Sequence, residues 1–99
     1  MKIEILSSAM ADLAEGRQFY GEQSEGLGEY FFDSLFSDID SLTLYAGIHP
    51  MFYGYHRMLS KRFPYAVYYK LREESIATVW RVLDLRRDPK RIKGSLQKL

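Results

Sequence analysis

Arg86 and Arg87 stand side by side in "VLDLRRDPKR", Val82 to Arg91, where an apolar run stops and a proline turn begins. Guanidinium groups grip carboxylates and phosphates through forked, charge-assisted hydrogen bonds, so an adjacent pair is equipped for an anionic partner. Lys90, Arg91 and Lys93 follow, and Arg57, Lys61 and Arg62 precede them. The acids lie elsewhere. Residues 1–53 hold two cations against nine carboxylates, a net of −7, and residues 54–99 hold twelve against four, a net of +8. A total of +1 therefore hides two opposite fields. The expectation is one basic face, open and solvated at Arg86 and Arg87, built to meet an acidic protein or a nucleic acid.

Other chemistry is thinly provided. His49 and His56 titrate near neutrality but have no carboxylate or thiol cluster beside them in sequence, so they are read as hydrogen-bonded loop and strand residues rather than an acid–base pair. The same scarcity, with no cysteine in the chain, leaves neither a metal site nor a cofactor to be expected. Among the tyrosines, Tyr65 and Tyr69 share strand parity with Phe63 and Val67 and are expected to pack. Tyr68, opposite them with Lys70, is the contact candidate beside the cations. Arg81, inside an apolar run, is expected to be stacked or paired.

The elements that must position these groups follow from periodicity. Met1–Leu6 alternates as a short strand, and Ser7 or Ser8 is placed to cap a helix. Ala9, Leu13, Gly16 and Tyr20 form one helical stripe, and Gly28, Phe32, Leu35, Ile39 and Leu42 a second, with "SEGLG" between them. Tyr30, Phe31 and Phe36 flank that second stripe, at the core edge or in a partner's seat. Gly16 and Gly28 on the stripes point to close helix contact in an antiparallel hairpin. "YAGIHPMFYGY" reads as loop. Period two then takes over in Tyr55–Leu59, "RFPYAVYYKL" and "IATVWRVLDL", with "REES" as a turn and Pro64 at a strand start. Asp88 before Pro89 is a helix cap, and Ile92, Leu96 and Leu99 share one face of a short last helix. The expectation is one α+β domain over residues 1–99, ordered β-αα-βββ: an antiparallel sheet, a helical hairpin on one face, and a short C-terminal helix. The opening apolar run is too short for a signal peptide, no stretch approaches a membrane span, and cysteine is absent, so a cytoplasmic protein is expected.

Four segments in this order, "ADLAEGRQFY", "EGLGEYFFDSL", "KRFPYAVYYKL" and "VWRVLDLRRDP", resemble the RelE/ParE family of type II toxin–antitoxin toxins over nearly the whole chain. The resemblance implies a toxin of a plasmid-stabilisation or addiction module, neutralised by a cognate, often acidic antitoxin through which the complex binds its operator DNA. It also implies one of two activities. RNA-cleaving members resemble one another in an arginine two residues before the "VYY"-like end, an arginine after the last strand, and a tail tyrosine or histidine. Those positions fall here at Ala66, at Arg86 or Arg87, and near Lys93, and after Trp80 there is no Tyr, Trp, Phe or His. This sequence looks more like the branch that inhibits DNA gyrase by binding, with Arg57, Lys61, Arg62, Tyr68, Arg86, Arg87, Lys90, Arg91 and Lys93 as the contact set and no catalytic residue. The alternatives are a ribosome-dependent mRNA endonuclease, and a non-toxic interaction or nucleic-acid-binding module.

Overall fold

A computed structural model describes residues 1–73 and 75–97. It runs β1 (Lys2–Ile5), α1 (Ser7–Gln23), α2 (Leu27–Asp40), a single turn α3 (Leu42–Tyr45), β2 (Met51–Phe52), β3 (Tyr55–Leu59), β4 (Tyr65–Arg72), β5 (Ile76–Asp84) and α4 (Pro89–Gln97). The expected α+β fold is the observed one. β3, β4 and β5 form the antiparallel meander, and the sheet order is β1-β5-β4-β3-β2. β1 joins β5 in parallel, with Ile3 opposite Ala77 and Ile5 opposite Val79, so the complete sheet is mixed. No helix among the described residues is long and apolar enough to cross a membrane.

Strand parity sorts the core into two. Tyr65, Val67 and Tyr69 of β4 and Ala77, Val79 and Val82 of β5 pack with Ala9, Leu13, Tyr20, Phe31, Leu35 and Ile39 of the hairpin. Ala66, Tyr68 and Leu83 point the other way, where Tyr55, Ile92 and Leu96 join them under α4. The Asp88 carboxylate accepts the Lys90 amide at 2.8 Å, as a cap should. Leu99, expected on the same helix face, and Glu74 of the expected turn lie outside the described residues.

Several local expectations change. Leu6, not a serine, occupies the cap of α1, and the Ser8 hydroxyl donates instead to the Trp80 carbonyl at 2.6 Å, tying helix to sheet. On α2 the deepest ring is Phe31, with no exposure, while Phe32 is half-buried. The cause is Gly16: a Cβ there would stand 2.5 Å from the Phe31 ring, so the missing side chain is the notch that Phe31 fills. Gly28 is equally tight and its neighbour is backbone, because its Cβ would meet the Arg17 carbonyl oxygen at 2.5 Å. The stretch read as loop contains β2, joined to β3 by a two-residue turn with φ of 53° at Tyr53 and 85° at Gly54. Such a turn needs positive φ at both positions, and tyrosine is an unusual occupant of the first.

Candidate functional site

The end of β5 carries the arginine pair. Arg86 lies over Asp84 with Nε 3.0 Å from Oδ1 and Nη2 2.7 Å from Oδ2, and Nη2 also donates to the Tyr20 hydroxyl at 3.2 Å. Burial pushes the Asp84 carboxyl up, but the hydrogen bonds and charge of Arg86, with Arg87 beyond, outweigh it and hold the group below its ordinary value. The Tyr65 phenol nearby is pushed up to about 12, chiefly by burial and then by Asp84. Arg87, only 30% exposed, reaches Glu15 of α1 at 3.4 Å. Both guanidinium groups thus turn toward α1 and are charge-compensated. The expected solvation holds for Arg86, which is 53% exposed although paired with Asp84 of its own strand, and is corrected for Arg87, which α1 half-buries beside Glu15.

Arg81 meets its expected pairing. Its Nε and Nη2 lie 2.7 and 2.8 Å from the two Asp12 carboxylate oxygens, and the Val82 amide donates to the same carboxylate at 2.9 Å. The register slips between Tyr68 and Tyr69, setting Arg81 opposite Tyr68 and Val79 opposite Tyr69 with Trp80 as the extra residue of a bulge.

Lys90, Arg91 and Lys93 are exposed on α4, across the sheet from the hairpin. Arg57 pairs in register with Tyr68 and stacks on the Phe52 ring at 3.7 Å. Tyr68 itself is 1% exposed, packed with Ala66, Leu83 and Ile92. Its expected role as a contact residue is therefore corrected: α4 covers it, which strand parity alone does not foretell. Lys61 and Arg62 are exposed in the β3–β4 loop, which lies against the end of β5 through a Leu85 amide to Pro64 carbonyl bond of 2.8 Å. The cations do not share one face: Arg86 and Arg87 turn to α1, Arg57, Lys90, Arg91 and Lys93 lie on the α4 side, and Lys61 and Arg62 stand in the β3–β4 loop.

Lys61 also borders a 310 Å³ groove with Asp38, Tyr45, Ile48, Met58 and Leu59. Apolar side chains crowd this rim, with Ile48 73%, Leu59 55% and Tyr45 52% exposed. Beside it the histidines take their expected hydrogen-bonded roles. The Tyr69 hydroxyl accepts from the Gly47 amide at 2.8 Å and lies 2.5 Å from His49 Nδ1. His56 Nδ1 lies 2.8 Å from the His49 carbonyl oxygen, and the His56 ring stacks on Tyr69.

Sequence reasoning passes over Lys70 as a site residue, although its parity with Tyr68 puts it on the α4 side. Its ammonium lies 4.5 Å above the Tyr55 ring and 5.5 Å above Trp80. It lines a 360 Å³ cavity with Glu4, Leu6, Leu71, Arg72, Thr78 and Trp80.

No protein-family model matches the sequence, and no curated protein matches it. Among solved structures, a chain of the chromosomal ParDE TA system from P. aeruginosa superposes with a TM-score of 0.72 at 15% identity, over 86% of this chain and 96% of that one. At this identity the likeness is one of fold.

Proposed function

We propose that this protein is the toxin of a type II toxin–antitoxin module, that it acts by binding and inhibiting DNA gyrase, and that a cognate acidic antitoxin silences it. The observation that carries the reading is the fold shared with a chain of the ParDE TA system, reached by a sequence whose motifs resemble the same family. Ala66 favours gyrase over mRNA cleavage. At the position where RNA-cleaving members carry arginine, this chain has a methyl group with no exposure. Arg86, the nearest counterpart of the second arginine, spends its charge on Asp84. Stabilising a cleaving phosphate needs cations aimed at the developing charge, whereas inhibition by binding needs only a complementary surface.

The groove beside Lys61 suits the antitoxin. Its exposed Tyr45, Ile48 and Leu59 offer apolar burial, and Lys61 with Arg62 offers charge to an acidic segment. In this reading operator DNA is bound by the complex, through the antitoxin. The deciding experiment sets purified protein against gyrase supercoiling and, in parallel, against mRNA in a translating extract. Loss of supercoiling with intact mRNA is the expected result. Ribosome-dependent cleavage with normal supercoiling would replace the reading with the endonuclease, and unimpaired bacterial growth on induction would leave a plain interaction module.

A further inference from the structure

The cavity on the α4 side of the sheet is assigned no part by the toxin reading, yet its walls are built from a row of cross-strand neighbours. Glu4, Thr78 and Lys70 sit opposite one another on β1, β5 and β4. Glu4 lies between Ile3 and Ile5, Thr78 between Ala77 and Val79, and Lys70 directly after Tyr69, all of them in the hairpin-side core, so the three project onto the opposite face. Trp80, Leu6 and Leu71 add apolar wall, and the space measures 360 Å³, within the range of small-ligand sites.

Its polar groups are left wanting. The Trp80 indole nitrogen and the Thr78 hydroxyl are buried and have no hydrogen-bond partner among the described residues. Thr78 is only 6% exposed, and an indole N–H can only donate. Burying a donor without an acceptor is costly, and an acceptor supplied from outside recovers that cost. Lys70 stands over the Tyr55 and Trp80 rings, and no carboxylate among the described residues forms an ion pair with it. Glu4, the one acid on the wall, is engaged by Arg72 at 3.0 Å. Two buried groups able to donate, a cation held by aromatic faces, and a neutralised acid make a site for an anion attached to something apolar.

We infer that this cavity binds a carboxylate carried on an apolar body, with Lys70 as its counter-ion and Thr78 and Trp80 as donors. Phosphate suits it less well, because the walls beside the donors are leucine and indole. Entry requires the flexible Lys70 stem to lift from the indole, a rotamer change of an exposed side chain. The carboxylate can belong to a free aromatic acid or to a Glu side chain of a partner peptide. The inference is independent of whether the protein inhibits gyrase.

Trp80 is the sole tryptophan, so its emission reports occupancy directly. The whole protein is titrated with phenylacetate and, separately, with the blocked tripeptide acetyl-Leu-Glu-Leu-amide and its Gln counterpart. A saturable emission change with at least one carboxylate probe is expected, at least tenfold weaker for the Gln peptide and for Lys70→Ala. Thr78→Val, which deletes an unpartnered hydroxyl, should bind several-fold more weakly while melting no lower than the parent protein. Response to phenylacetate alone identifies a free acid as the source, and tighter peptide binding identifies a side chain. No saturable change with either carboxylate probe overturns the inference, as does equal affinity for the Glu and Gln peptides or for Lys70→Ala.

Discussion

Asp84 accepts both the side chain and the backbone amide of Arg86, so one carboxylate closes the turn that leads into α4. Its folded pKa lies below the unfolded value, so the stabilisation is full above about pH 3.9 and is lost as the pH falls through the folded value. Asp84→Asn should cost about 1 kcal/mol at pH 7, the scale of a partly exposed pair, and melting curves should show the deficit vanishing in strong acid. The His49 ring is held neutral, its pKa lowered by burial and then by the neighbouring His56. Here stability is full above about pH 6.5 and declines as the pH falls through the lowered value. His49→Gln should flatten that limb in denaturant titrations at stepped pH; an unchanged slope would show that the ring plays no part. Asp12 has the larger stake, since its removal strands both Arg81 and the Val82 amide. Asp12→Ala should cost about 3 kcal/mol by chemical denaturation.

The two elements of the hairpin meet through glycine, and there the backbone decides. A methyl group on Gly28 would press against the Arg17 carbonyl oxygen and the Gly21 backbone, neither the end of a flexible side chain. Gly28→Ala should therefore destabilise by about 2 kcal/mol, roughly 10 °C in Tm, despite alanine's better helix propensity. An unchanged or raised Tm would mean that the helices can part without loss. The stripes of α1 and α2 were legible because burial against one sheet face imposes a 3.6-residue period. Phe31 was not, because the pocket that receives it lies on α1. For the same reason the meander was legible from alternation, whereas β2 was not: two residues are too few to show a period, and its turn uses a tyrosine.

Across the whole molecule the charge segregation survives as a division between two surfaces rather than one basic face. The hairpin carries most of the acids and draws Arg86 and Arg87 back toward itself, while α4 keeps Lys90, Arg91 and Lys93 in solvent. The proposed antitoxin seat makes Lys61→Glu a direct test at this scale. It should weaken complex formation about tenfold at low salt, with the difference shrinking as salt screens the charge, and leave the melt unchanged. Equal affinity at every salt concentration would move the seat elsewhere. The sequence by itself determined the class of fold, the faces of the strands and the segregation of charge, because periodicity and composition are properties of the chain read locally. Only the tertiary structure decided which cations stay free, that α4 closes over Tyr68, and that Lys70, Thr78 and Trp80 share a cavity. Each depends on which distant residue arrives opposite, and neither local spacing nor side-chain type encodes that.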